Sequence, residues 1–132
     1  MKQRPVAIGL LLCKQVIVEE STRNLTPVNC FTRRKVEQTP TDALSFVVFA
    51  NLTDGVEEIE LTVLIQRLDT YEEVYQYSIT YRFTDPLRDM GFLLRVRDCY
   101  FPVFGDYQVA LLADGELIAH RKLRIVQKRS ST

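Results

Sequence analysis

Apolar and polar residues alternate along most of the chain, and a period of two predicts β-strands. Between residues 57 and 66, every second residue is apolar: Ile59, Leu61, Val63 and Ile65. Between residues 71 and 83, one face carries mainly aromatic residues: Tyr71, Tyr75, Tyr77, Ile79, Tyr81 and Phe83. The two segments predict a long hairpin with one covered face and one solvent-exposed face.

The same alternation predicts six further strands along the chain. They lie within residues 5–18, 27–36, 44–52, 92–96, 107–111 and 117–126. Asp114-Gly115 is a strong signal for a two-residue hairpin between the last two. Seven or eight strands joined by turns predict one antiparallel β-sandwich over residues 1–127, with 128–132 as a mobile tail. A small β-barrel is the alternative architecture.

The opening segment, residues 5–19, is compatible with a targeting signal ending at Cys13 or with a first strand. Its apolar run, from Pro5 to Leu12, is far shorter than the roughly 20 residues of a membrane helix. The three leucines before Cys13 are larger than the small residues of a processing site. Apolar residues alternate as in a strand: Val6, Ile8, Leu10, Leu12, Val16 and Val18. We therefore expect a strand, a cytoplasmic protein and no membrane partner.

A short motif near the C-terminus refines the fold prediction. The segment Gly105-Asp106-Tyr107-Gln108-Val109 resembles the G-x-Y-x-C segment of immunoglobulin-like domains, with Val109 in place of the cysteine. Residues 101–126 also resemble the C-terminal hairpin of an uncharacterised bacterial β-sandwich family. The resemblance implies an immunoglobulin-like sandwich and a structural corner at Gly105 and Tyr107, whose hydroxyl would bond back to the backbone. It implies a fold and no activity.

Charge and cysteine content narrow the possible partners and the compartment. Lys plus Arg equals Asp plus Glu at 17 each, so a nucleic-acid partner is not expected. Basic residues cluster at 33–35 and along residues 121–129, where a solvated strand surface is the favoured interpretation over contacts with phosphates or an acidic protein. The three cysteines, Cys13, Cys30 and Cys99, form no disulfide framework, which agrees with a reducing compartment.

Catalytic and metal-binding patterns are weak. His120 is the sole histidine, and no motif places a nucleophile or an acid beside it. The acids at 54–60 lack the spacing of a calcium loop. We therefore expect no enzyme, no cofactor and no metal.

The tyrosine-rich segment is the strongest candidate for function. Most of its apolar face is expected to cover the neighbouring strand, with Tyr81 buried, and the tyrosines near the hairpin end, Tyr71 and Tyr75, are expected to be exposed. We predict a non-catalytic module that binds a protein partner or itself through a sheet face or edge. The candidate binding residues are Tyr71, Tyr75, Tyr77, Arg33 and Arg34. The alternatives are a small-ligand or carbohydrate site in a tyrosine-lined cleft, and an enzyme that uses His120.

Overall fold

The computed structural model describes residues 5–55, 57–83 and 89–129, and these residues form nine β-strands and no helix. The strands are β1 (Val6–Val18), β2 (Leu25–Cys30), β3 (Arg33–Val36), β4 (Leu44–Thr53), β5 (Glu57–Arg67), β6 (Glu73–Phe83), β7 (Met90–Cys99), β8 (Gly105–Ala113) and β9 (Glu116–Gln127). The last three residues of the predicted C-terminal tail lie outside the described residues.

The strands form two sheets. The four-stranded sheet has the order β2-β1-β4-β7, and the five-stranded sheet has the order β3-β9-β8-β5-β6. The described neighbours pair antiparallel, except that β3 runs parallel to β9. The predicted all-β sandwich is confirmed, with one parallel pair that the local pattern did not indicate.

The strand count exceeds the predicted seven or eight because the predicted strand at 27–36 is two strands. β2 ends at Cys30 in the four-stranded sheet, and β3 begins at Arg33 in the five-stranded sheet. Residues Phe31 and Thr32 carry the chain from one sheet to the other. This crossing places β3 beside the C-terminal half of β9, where Arg33 lies opposite Arg124.

β1 departs from the simple alternation predicted for it. Of the residues expected on its apolar face, Leu10 and Leu12 are buried, whereas Val6 and Ile8 are more than half exposed. The pairing of β1 with β4 shifts between Ile8 and Leu10, around Gly9, whose φ is +77°. A bulge changes which face the following side chains occupy, so one period cannot describe the whole strand.

The main core lies between the sheets and contains the alternating residues predicted from the sequence. Ile59, Leu61, Val63 and Ile65 of β5 are each at most 1% exposed. They pack with apolar residues of the facing sheet, including Phe46, Val48 and Phe92. Burying such side chains contributes roughly 1.5–3 kcal/mol each to the free energy of unfolding.

Two local features fix the ends of β8. At its start, the fully buried Tyr107 donates a hydrogen bond from its hydroxyl to the Val103 carbonyl at 2.7 Å. The same hydroxyl accepts one from the Val103 amide at 3.3 Å. At its end, Asp114 and Gly115 both have positive φ, 48° and 84°, the geometry of a tight two-residue hairpin turn.

Candidate functional site

The five candidate binding residues lie in two places. Tyr75 and Tyr77 belong to β6 at one edge of the five-stranded sheet, and Arg33 and Arg34 belong to β3 at the opposite edge. Four strand spacings separate these edges, about 19 Å. Tyr75 and Tyr77 therefore cannot form one site with the arginines.

The tyrosines of the hairpin have different environments. Tyr71, in the turn between β5 and β6, is 72% exposed, and Tyr77 is 52% exposed. Tyr77 lies opposite Val63, and Tyr75 lies opposite Ile65, so both start from the core-facing side of the sheet. Because β6 is the last strand of the sheet, the Tyr77 ring extends past the core into solvent.

The remaining tyrosines of β6 are partly buried. Tyr75, which was expected to be exposed, is instead partly buried, and both Tyr75 and Tyr81 pack against the main core. The Tyr81 ring lies 5.5 Å from the Phe92 ring of the other sheet. Burial raises the pKa of both phenols, and a backbone hydrogen bond at Leu93 partly opposes the shift of the Tyr81 pKa. These two tyrosines therefore close the side of the sandwich, while Tyr71 and Tyr77 are available for contact.

The outer edge of β6 is long and regular, and its central part is uncharged. Nine consecutive residues, from Tyr75 to Phe83, pair with β5 without a register shift. The eight residues from Val74 to Tyr81 contain no charge, proline or glycine, and most are good strand formers. In the described residues no strand pairs with the other side of β6, so every second residue presents its N–H and C=O to the outside.

The other sheet edges carry features that oppose pairing with a further strand. β2 contains Pro27, and β3 is four residues long with the sequence Arg33-Arg34-Lys35-Val36. β7 carries the charged residues Arg95, Arg97 and Asp98. Proline, charge and short length are the usual protections of an edge strand. Among the described edges, β6 is therefore the one best suited to accept another strand.

The arginines of β3 have distinct roles. The Arg34 guanidinium lies 5.1 Å from the centre of the Phe31 ring, and burial lowers its pKa. Arg33 instead lines an open groove beside β9, together with His120 and Lys122. The sequence indicated the basic residues of this groove but not Thr32 or Gln108, because the groove exists only where β3 stops short along β9.

Other kinds of site have less support. The described residues contain no group of three or more His, Cys, Asp or Glu side chains able to hold a metal ion. Cavities of about 710, 340 and 140 Å³ have no tyrosine in their linings, and they give no support to a tyrosine-lined cleft. Within the described ranges, no helix is long and apolar enough to cross a membrane.

Comparison with known proteins assigns the chain to a family. No curated protein matches the sequence. A family model matches residues 9–126, a span that includes the seven strands β2 to β8 completely and most of β1 and β9. The chain therefore belongs to DUF6941, a family of unknown function.

Proposed function

We propose that the protein is a non-catalytic interaction module that binds a second copy of itself through the outer edge of β6. The observation that supports this most strongly is the unprotected edge, in which eight uncharged residues stand between Glu73 and Arg82. Strand addition at such an edge gains backbone hydrogen bonds along its whole length. It would join two five-stranded sheets into one continuous sheet of ten strands.

The charges at the two ends of β6 favour a second copy as the occupant. A symmetric pair of edge strands is antiparallel, and the two-fold axis passes near the middle of the strand, at Tyr77 or Ser78. Glu73 of one copy then lies close to Arg82 of the other, and the reciprocal pair forms at the other end. Strand β6 is thus complementary in charge to its own antiparallel copy.

The tyrosines add side-chain contacts to this pairing. An axis perpendicular to the sheet keeps the core-facing sides of the two copies on one side. Tyr77 then lies opposite either Tyr77 or Ile79 of the second copy, depending on the register. Aromatic and β-branched pairs across strands each contribute roughly 0.2–1 kcal/mol, and the exposed ring of Tyr77 gains cover.

Sedimentation velocity over a range of micromolar concentrations tests the proposal. We expect a dimer whose dissociation constant rises when Glu73→Arg places like charges at both ends. Adding Arg82→Glu to Glu73→Arg restores opposite charges and is expected to restore the dimer. Circular dichroism of each variant reports whether the monomer fold is retained, because Arg82 also lies opposite Glu58 within the sheet.

Tyr77→Lys, with Tyr71→Lys as the matched control, tests the location of the interface. Lysines near the two-fold axis repel each other, so we expect Tyr77→Lys to give a monomer. Tyr71 is outside the strand, and its variant is expected to remain dimeric. A wild-type protein that stays monomeric at every concentration, or equal behaviour of the two variants, contradicts the proposal.

The same proposal includes an immunoglobulin-like relationship and a cytoplasmic location in a bacterial protein. The order β9-β8-β5-β6 corresponds to strands G, F, C and C′ of variable-type immunoglobulin domains, and the Tyr107 hydroxyl bond supports this relationship. The three cysteines are free thiols, which supports a reducing compartment.

Binding of carbohydrate at the tyrosines is the alternative function. Titration of sugars, followed by tyrosine fluorescence, would detect it.

A further inference from the structure

A basic groove lies toward the edge of the five-stranded sheet that is opposite β6. It lies beside the part of β9 that does not pair with β3. It has a volume of about 710 Å³. Seven of the residues that line it can donate hydrogen bonds from their side chains: Thr32, Arg33, Gln108, His120, Arg121, Lys122 and Arg124. The apolar wall is supplied by Leu68, from the turn that follows β5. We call this site the basic groove.

The charge of the groove contrasts with the balanced charge of the chain. Its described lining includes four cationic side chains, counting Arg124, and no carboxylate. The nearby carboxylate of Asp106 accepts a hydrogen bond from the Arg124 guanidinium at 2.8 Å. Arg124, and to a smaller extent Lys122, holds the pKa of Asp106 below its usual range. The Asp106 charge is thus largely offset by Arg124, which leaves Arg33, Arg121 and Lys122 to make the groove positive.

Backbone amides add donors on the same side. The Arg124 amide donates to the Thr32 carbonyl at 2.9 Å, and the Lys128 amide donates to the Val36 carbonyl at 2.7 Å. Residues two apart along a strand direct their amides to the same edge. The amides of Lys122 and His120 therefore point to this edge as well, on the N-terminal side of Arg124, the first residue of β9 that pairs with β3.

We propose that the basic groove binds a phosphorylated small molecule through its phosphate groups. Guanidinium groups bind phosphate oxygens with paired hydrogen bonds, and lysine supplies a compact charge. Amides that point outward from one strand edge add donors that need no side-chain ordering. Leu68 and Gln108, on the far wall, provide one apolar and one polar contact for the organic part of the ligand.

A small ligand fits the observations better than a nucleic acid. The positive charge is confined to one groove, and the chain as a whole has a formal net charge of zero. Nucleic-acid binding usually needs an extended basic surface that follows several phosphates. The exposed aromatics Tyr71 and Tyr77 do not line this groove, so stacking of successive bases is not provided there.

Isothermal titration calorimetry at constant ionic strength, with pyrophosphate, ATP and sulfate as probes, tests the proposal. We expect one molecule of pyrophosphate or ATP per chain, bound at least about tenfold more tightly than sulfate. Equal affinity for pyrophosphate and ATP would assign recognition to the phosphates alone. Tighter binding of ATP would add contacts to its organic part. In NMR spectra, the amides of Thr32, His120 and Lys122 are expected to shift on binding.

A matched pair of double variants separates the groove from general electrostatics. Arg33→Gln with Lys122→Gln removes two groove charges and is expected to weaken binding about tenfold or more. Lys14→Gln with Arg97→Gln removes the same charges from the four-stranded sheet and is expected to leave affinity unchanged. Absence of binding, equal loss in both variants, or affinity that grows with the length of an oligonucleotide would overturn the proposal.

Discussion

Removing the hydroxyl group of Tyr107 is expected to destabilise the loop that leads into β8. The ring is fully buried, and its contact with Phe101, at 4.8 Å between ring centres, is kept in Tyr107→Phe. The variant loses two hydrogen bonds, the one that the Tyr107 hydroxyl donates to the Val103 carbonyl and the one that it accepts from the Val103 amide. Val103 is partly exposed, so water can replace one of these bonds but not both at full strength.

The expected cost is about 1–2 kcal/mol in the free energy of unfolding, the range for one net hydrogen bond plus a partly unsatisfied group. For a chain of this size, that corresponds to a fall in Tm of roughly 3–10 °C. Urea denaturation at one fixed protein concentration measures it, with Tyr71→Phe as the control for an exposed hydroxyl. A Tyr107→Phe variant as stable as the control would show that this hydroxyl does not hold the corner.

Three further predictions concern burial and ionisation. Burial raises the pKa of Cys99 to about 12, so above pH 9 the thiol loses its proton in the unfolded chain but keeps it in the folded one. The free energy of unfolding is therefore expected to fall by up to about 1.4 kcal/mol per pH unit. Urea midpoints that stay constant between pH 8 and 11 would contradict this. A Cβ added at Gly55 would collide with the buried Phe83 ring. Gly55→Ala is therefore expected to lower the free energy of unfolding, measured by urea denaturation, by about 1–3 kcal/mol. An unchanged free energy of unfolding would show that the ring moves freely. Cys30 is exposed whereas Cys13 and Cys99 are buried, so an Ellman titration is expected to find one fast thiol in the folded protein and three after unfolding. Fast reaction of all three in the folded protein would show that the core opens readily.

The local sequence pattern was sufficient to predict a strand where the whole strand packs against one continuous core. The alternation in β5 and β6 predicted their hairpin correctly, because the alternate residues Ile59, Leu61, Val63 and Ile65 all face one continuous core. Asp114-Gly115 likewise marks its own turn, since both residues accept a positive φ. These signals depend only on neighbours along the chain.

The pattern was insufficient where a strand serves two partners. β1 pairs with β4 through its first half and with β2 through its second half, so its exposed and buried residues follow no single period. Residues 27–36 divide between the sheets for a similar reason. Strand order, and with it the parallel pairing of β3 and β9, is decided by contacts between residues that are distant in sequence.

The candidate sites were predictable in part. Tyr71 and Tyr77 were identified from the tyrosine pattern, but their relation to the arginines was not, because it depends on which strands occupy the edges of the sheet. The uncharged stretch from Val74 to Tyr81 was visible in the sequence. This stretch indicates an interface only because β6 is an edge strand, since uncharged residues are usual in a strand with a neighbour on each side.

Amide hydrogen exchange along β6, followed by NMR, tests the proposed strand pairing most directly. In a monomer, every second amide of β6 faces solvent and exchanges fast, while the others are protected by β5. At concentrations that favour the dimer, we predict slow exchange for consecutive amides from Tyr75 to Tyr81. Alternating fast and slow amides at every concentration would contradict the pairing, and the edge of β6 would then not be the interface.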